Sequence, residues 1–374
     1  MSSTITLLQI LPALQTGGVE RGTLDVARAL VAAGHHSLVM SAGGRLVERL
    51  EAEGSTHLTR DVGRKSLLTL RHVLALRRLL GSGEIDIVHV RSRLPAWIVW
   101  LAWKSLPAAR RPRLLSTVHG PYSVNAYSAV MTRGERVIAI SETIRDYIHR
   151  NYRVPEDRVR LIYRGVDPVE FPFAHRPAED WLAVWRRALP ELRGKRVLAL
   201  PARITRWKGQ LDFLQVMAAL IATGEPVHGL IVGDAQKGRE DFARELRGRV
   251  SALGLEPHIS FTGHRSDLRD VMAACDIVFS LAREPEAFGR VPVEALSLGR
   301  PVIGYDHGGV GESLRAIYPV GLVPVGDIDA VVARTREFLR AAPPVPPDQP
   351  FTLKRMTDAT LAVYRELVES PRQT

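Results

Sequence analysis

Cysteine is nearly absent: Cys275 is the only one in 374 residues. That excludes an intramolecular disulfide framework and leaves no cysteine pair for a zinc ribbon. Cys275, between Ala274 and Asp276, reads as a small core residue and not as a nucleophile. Long apolar runs are missing too, and none approaches the ~20 residues that a membrane span requires. The stretch Met1 to Pro12 has no cationic n-region and no small-residue cleavage site. No secretory signal is therefore expected, and the reducing cytoplasm is the expected compartment. Acidic residues are in deficit, 40 Asp and Glu against 51 Lys and Arg, for a net charge of +11. The deficit is uneven. Residues 1–170 hold 24 basic and 15 acidic side chains, whereas residues 171–374 hold 27 and 25. A polyanionic partner for the first half is one reading: a phosphorylated substrate, an acidic membrane or nucleic acid. An arginine-rich but otherwise ordinary surface is the other.

What remains is an ordinary globular balance, 45% hydrophobic and 24% charged, which excludes a disordered or collagen-like chain. The length fits about two domains. Short apolar runs alternate with helix-period stretches throughout. Strands are expected at Ile5–Leu11, Ser37–Ser41, Ile85–Val90, Leu114–Val118, Val137–Ile140 and Val159–Ile162. The second half repeats the pattern at Arg196–Leu200, Gly229–Val232, Ile259–Phe261, Ile277–Ser280, Val302–Gly304 and Leu322–Val325. Between them, Val19, Thr23, Val26 and Leu30 share one helical face, and Leu211, Leu214, Met217 and Ile221 another. The alternation predicts an α/β fold of two Rossmann-like, doubly wound parallel-sheet domains. It pauses at Pro168, Pro172 and Pro177, before a helix over Glu179–Leu189. The expected domains are 1–170, 171–350 and a last helix within 351–374 that packs back on the first domain. The cluster Pro343, Pro344, Pro346, Pro347 and Pro350 reads as a stiff linker to that helix.

In open α/β sheets ligands sit beyond the C-terminal ends of the strands, so the strand–helix junctions are where chemistry is sought. Five stand out. Gln15-Thr16-Gly17-Gly18-Val19-Glu20-Arg21 joins the first strand to the first helix. Its glycines allow a close backbone approach to an anion, or simply a tight turn. His119 follows a strand and precedes Gly120-Pro121, in place for hydrogen bonding or for charge stabilisation, or as a core residue. Arg203, Arg206 and Lys208 crowd one turn before a helix. Cations there oppose the helix dipole, which points to an anionic ligand such as a diphosphate. In Glu284-Pro285-Glu286-Ala287-Phe288-Gly289-Arg290-Val291-Pro292-Val293-Glu294, a helix is expected to start near Arg290. Glu286 then lies in a loop and Glu294 in the early helix, two carboxylates able to hold a polyhydroxylated ligand. Tyr305-Asp306-His307-Gly308-Gly309-Val310-Gly311-Glu312 offers a second anion-binding nest.

Taken in order, these junctions resemble the family 4 retaining nucleotide-sugar glycosyltransferases of GT-B fold. The most specific element is the E-x7-E pair, Glu286 and Glu294, with Phe288-Gly289 inside it, preceded by the basic loop ending Lys208-Gly209. Ile162-Tyr163-Arg164-Gly165-Val166-Asp167 also resembles the family's domain-end signature, with Arg164 where Asn is usual. The resemblance implies that Arg203 and Lys208 neutralise the donor diphosphate and that Glu294 binds the ribose. It implies that Glu286 contacts the donor sugar and that backbone groups of Phe288 and Gly289 orient it. His119 would lie near that sugar, and Gly17-Gly18 near the phosphates or the acceptor. Reaction would retain configuration by front-face attack within an oxocarbenium-like ion pair, with no metal and no cofactor. UDP is the first choice of nucleotide. Two departures stand in the motifs: Ala287 where Gly is frequent, which bears on donor-sugar fit, and Gly311 where Pro is frequent, which is expected to loosen a turn.

The acceptor is expected to meet the basic first half. Trp97, Trp100 and Trp103, followed by Arg110-Arg111-Pro112-Arg113, suit a membrane interface or an ordinary buried helix. Arg64-Lys65 and Arg77-Arg78 add charge nearby. Val90-Arg91-Ser92-Arg93-Leu94-Pro95-Ala96-Trp97 is similar to lipopolysaccharide-core members of the family. The expected partners are therefore a nucleotide sugar, a phosphorylated lipid-linked glycan and the inner face of an anionic membrane. A nucleotide-sugar epimerase of the same fold is the nearer alternative. A nucleic-acid-binding protein is the remoter one, since no RNP pattern, helix-turn-helix or Cys/His finger is present.

Overall fold

The computed structural model describes residues 4–15, 17–235, 238 and 240–371. It separates into two compact units: residues up to Arg164 together with those from Leu353 onward, and Gly165–Thr352. The division falls at 164/165 and 352/353, a few residues from the boundaries expected at 170 and 350.

In the first unit the strands are β1 (Thr6–Ile10), β2 (His36–Ser41), β3 (Thr56–Thr59), β4 (Ile87–Val90), β5 (Arg113–Val118), β6 (Arg136–Ala139) and β7 (Val159–Leu161). All pair in parallel, in the order β3-β2-β1-β4-β5-β6-β7. In the second unit they are β8 (Arg196–Pro201), β9 (Val227–Val232), β10 (Ile259–Gly263), β11 (Ile277–Ser280), β12 (Val302–Tyr305) and β13 (Leu322–Val323). Their order is β10-β9-β8-β11-β12-β13, again parallel. Every residue of β5 and β9 is buried, which is why these runs read as continuous and not alternating. One strand escaped the sequence reading. β3, Thr-His-Leu-Thr, is a short, polar sheet edge without a buried run to announce it.

The helix Leu353–Glu369 belongs to the first unit and completes its core. Met356, Leu361, Val363, Tyr364 and Leu367 pack with Ile5, Leu7, Val26, Leu30, Ile87, Leu115, Ile138 and Ile162. Each fully buried apolar side chain here contributes about 1.5–3 kcal/mol. Charge ties the same helix down, since Glu366 pairs with Arg136 (2.7 Å) and Arg160 (2.5 Å). The helix Glu179–Ala188 belongs to the second unit. Trp185 is buried against Val197, Ala199, Leu230 and Cys275, and Trp181 stacks on it with centroids 5.1 Å apart.

The Tyr364 hydroxyl lies in the middle of the first unit, 2.8 Å from His89 Nδ1, and also bonds the buried Arg91 side chain. The expected consequence of Tyr364→Phe is a loss of about 1–3 kcal/mol in urea unfolding, from the polar partners left behind. A loss below a few tenths would contradict this placement.

Candidate functional site

The strand order of the second sheet reverses between β8 and β11, and a crevice opens beyond the C-terminal ends of strands at such a point. Two loops leave there, 202–209 and 281–289, and they are tied to each other. Arg283 N–H donates to the Trp207 carbonyl at 2.7 Å. Gly209 has φ +81°, and a Cβ there would lie 1.9 Å from the Leu281 carbonyl oxygen. Only glycine permits both that turn and that approach. The helix Gln210–Ala222 starts immediately after it.

This junction brings together two of the residues singled out in the sequence. Lys208 Nζ is 2.7 Å from Glu286 Oε2, with the two side chains only 14% and 18% exposed. Lys208 Nζ also sits 4.4 Å from the Trp207 ring centroid. Of its two cationic neighbours, one is engaged elsewhere and the other is open to solvent. Arg206 is exposed and pairs with Glu245 at 2.5 Å, and the Arg203 side chain is exposed. Below the junction, buried Asp212 accepts from Arg283 Nε at 2.9 Å and from the Tyr305 hydroxyl at 2.5 Å. Burial, followed by the Asp212 carboxylate, pushes the Tyr305 hydroxyl up, so it remains a donor. The sequence reading missed this support, because an Asp, an Arg and a Tyr 71 and 93 residues apart leave no local pattern.

The helix Arg290–Ser297 starts where proline in its first turn placed it, with Gly289 as a left-handed cap at φ +74°. Glu294 is buried, and its Oε1 accepts from Arg290 Nε at 2.9 Å. Phe288 is buried edge-on against Phe351, with centroids 5.5 Å apart. In the glycine-rich stretch after β12, not every donor expected of an open anion nest is free. Gly309 N–H donates to the Glu286 carbonyl at 2.7 Å, and a Cβ on Gly309 would fall 2.3 Å from Phe288 Cα. These glycines seat the 285–288 segment. His307 pins the same loop, donating from Nε2 to the Ala282 carbonyl at 2.6 Å. Nor is the turn at Gly311 loosened, since its N–H donates to the His307 carbonyl at 3.0 Å, a bond that proline lacks. The expectation from the sequence that no D-x-D triplet follows a strand is wrong: Asp327-Ile328-Asp329 follows β13, and it caps a helix, with Asp327 accepting from Ala330 N–H at 2.9 Å.

In the first unit, Gly17 is the cap of the helix Gly18–Ala32, and Thr16 lies outside the described residues. The Glu20 carboxylate folds back over this helix start: a Cβ on Gly17 would lie 2.3 Å from Glu20 Oε2. His119 follows β5. Its Nδ1 is 2.8 Å from Arg164 Nη2. A guanidinium only donates, so Nδ1 must be the acceptor and the ring proton must sit on Nε2. Arg164 is accommodated because Gly22 has no side chain, since a Cβ there would lie 2.0 Å from Arg164 Nη1. Nε2 of His119 is buried and has no partner among the described residues. Burial first, then the Arg164 and Arg91 charges, hold the His119 imidazole well below its usual range. His89 is held down in the same way, bonded to Tyr364 and to Thr117 Oγ1 at 2.7 Å. The cavity lined by His89, Arg91, Thr117 and Arg164 measures only about 10 Å³, room for one water at most.

Residues 16–170 match the family model described as Glycosyltransferase Family 4, and residues 183–345 match Glycosyl transferases group 1. The chain is a glycosyltransferase of the family 4/group 1 type with a GT-B fold. The first match covers the Gly17-Gly18 and His119 junctions. The second covers Lys208, Glu286 and Glu294. This glycosyltransferase is similar to the crystal structure of a glycosyltransferase from Rickettsia africae, at 26% identity and TM-score 0.86, covering 99% of this chain and 100% of that one. Its fold is shared with Anabaena HepE, solved in complex with UDP-glucose: 21% identity, TM-score 0.74, 97% and 95% covered. Among curated relatives, the lipopolysaccharide core biosynthesis mannosyltransferase LpsB of Rhizobium meliloti is 26% identical over 221 residues, 56% of this chain and 61% of that protein.

The two buried neutral imidazoles make stability depend on pH. Unfolded histidines titrate at about 6.5, whereas His89 and His119 stay neutral in the folded chain to much lower pH. Below that value the unfolded chain binds more protons, so stability falls as pH falls, by about 1.4 kcal/mol per pH unit for each such group. Urea unfolding at pH 7.5 and 5.5 should show this loss, and His119→Gln should lessen the slope by about one proton. An unchanged slope in the variant would contradict a neutral His119.

Proposed function

We propose that this glycosyltransferase moves a hexose from a nucleoside-diphosphate sugar, UDP first, to a phosphorylated lipid-linked glycan, with lipopolysaccharide core as the leading acceptor. The observation that carries the donor half is the Lys208–Glu286 pair at the strand-order reversal, inside the segment that matches the group 1 model. Lys208, joined by Arg203, neutralises the diphosphate. Glu286, released from Lys208 as phosphate takes its place, accepts from sugar hydroxyls. Glu294, steadied by Arg290, accepts from the ribose hydroxyls. Backbone groups of Phe288 and Gly289 orient the sugar, and Gly17-Gly18 approach the phosphates or the acceptor. His119, with its ring proton on Nε2, is the side chain of the first unit assigned to substrate.

The bond from the anomeric carbon to the phosphate oxygen breaks, and its electron pair leaves with the diphosphate. The acceptor hydroxyl attacks the same face of the resulting cation, and its proton passes to the departing phosphate oxygen. Configuration is retained. The positive charge that the leaving group needs comes from Lys208 and Arg203, so the reaction runs without a metal or cofactor. The acceptor half draws on the relative acting on lipopolysaccharide core and on the basic first 170 residues. No helix among the described residues is long and apolar enough to cross a membrane. We place the enzyme peripherally on the inner face of the cytoplasmic membrane. The epimerase alternative is not carried forward, because both matching family models are transferase models.

The test is transfer itself. The purified enzyme, in EDTA, is given UDP-, GDP- and ADP-hexoses with truncated lipopolysaccharide, and the product is read by mass and by anomeric coupling. One hexose added with retained configuration is expected, with kcat/KM reduced at least ~100-fold in Glu286→Gln. Inversion, a strict metal requirement or full activity of the variant would contradict the proposal.

A further inference from the structure

The tryptophan helix is the obvious membrane candidate in the sequence, but its indoles are not what this surface presents. In the helix Arg93–Lys104, Trp97 Nε1 donates to the Tyr127 carbonyl at 2.8 Å and Trp103 Nε1 to the Pro112 carbonyl at 2.7 Å. Arg133 covers Trp97 and Trp100, 4.9 and 5.0 Å from their ring centroids, and Arg111 covers Trp103 at 4.6 Å. All three rings are half-buried.

What is exposed lies on the helix packed beside it. The short 3-10 turn Leu67–Leu70 runs directly into the helix Arg71–Leu80, which packs on Arg93–Lys104. Its inward face is His72, Leu76 and Leu80, all buried. On the outer side the helix carries Leu74, 65% exposed, and the turn before it Leu68 and Leu70, 69% and 49% exposed. Arg71, Arg77 and Arg78 flank them, also exposed, with Arg64 and Lys65 just before the turn. Residues 62–83 contain seven leucines, five Lys or Arg and no Asp or Glu. The imbalance extends to the neighbouring helix: residues 62–134 hold twelve basic side chains against two acidic ones, Glu84 and Asp86.

Exposed leucines on a surface with one sign of charge at their rim match an interface that is apolar within and anionic outside. We infer that the 67–80 segment docks this protein on an anionic lipid bilayer, with Leu68, Leu70 and Leu74 entering the headgroup–acyl boundary and Arg64, Lys65, Arg71, Arg77 and Arg78 meeting lipid phosphates. Nucleic acid would satisfy the arginines but would leave the leucines in water. The inference deepens the peripheral placement proposed above and rests on it for its biological purpose. Its physical test needs neither nucleotide nor acceptor.

Flotation is measured with vesicles of phosphatidylcholine alone and with 30 mol% phosphatidylglycerol, at low salt and in 0.5 M NaCl. The expected result is binding to the anionic vesicles only, weakened by salt. The triple variant Leu68→Ser/Leu70→Ser/Leu74→Ser should lose at least about tenfold in partitioning while keeping its melting temperature, because the substituted side chains face solvent. Arg71→Gln/Arg77→Gln/Arg78→Gln should lose the preference for anionic lipid. Wild-type binding to both vesicle types alike, no binding to either, or a leucine variant that floats like wild type would overturn the inference. The transferase reading is scored separately, by sugar release to soluble acceptor fragments, so each can fail without the other.

Discussion

A lysine and a glutamate held 2.7 Å apart, one on each loop flanking the reversal of strand order, form the point about which the second unit is organised. Neither charge is comfortable alone at less than a fifth exposure, so the chain builds a frame that keeps them together. Gly209 lets the loop after β8 press against the loop after β11, and the Arg283–Trp207 backbone bond closes that contact. Asp212, Arg283 and Tyr305 prop it from below, and Gly309 and His307 clamp it from the side. The same arrangement suits exchange. On the proposed reading, an incoming anion takes over Lys208 and frees the Glu286 carboxylate for hydroxyl groups, so an ion pair at rest becomes two binding groups in use.

The first unit handles charge differently. Two arginines, Arg91 and Arg164, are buried beside two histidines, His89 and His119. The energetic solution is to keep both imidazoles neutral and to use them as acceptors and donors of fixed direction. Arg164 therefore does more than fill a position where asparagine is common, because it dictates which nitrogen of His119 carries the proton. The cavity beside the cluster is too small for a phosphate, so these arginines order the unit, and the exposed arginines of the 64–78 segment are a separate population.

Much of this was legible in the sequence. The buried strands announced themselves as β-branched runs, and the start of the Arg290–Ser297 helix was fixed by Gly289 and Pro292. The five junctions fall at strand ends as expected. What failed to show did so for physical reasons. β3 is an edge strand of polar residues. Among the glycines after β12, read as free donors, Gly309 gives its N–H to the Glu286 carbonyl and Gly311 to that of His307. The tryptophans drew attention by size, whereas exposure, which only the fold reveals, singles out Leu68, Leu70 and Leu74. Contacts between residues far apart in sequence, such as Asp212 with Tyr305 or Arg164 with His119, have no local signature at all.

The central claim is that Lys208 is the anion-binding group of the second unit. Thermal unfolding with UDP, GDP, ADP, CMP and sulfate, each near 100 times its dissociation constant, tests it most directly, since such a ligand stabilises by about 2.7 kcal/mol. The account expects a rise in melting temperature with one nucleoside diphosphate beyond sulfate, lost in Lys208→Met and kept in Arg206→Ala. A rise that survives Lys208→Met, or none beyond sulfate, would contradict it.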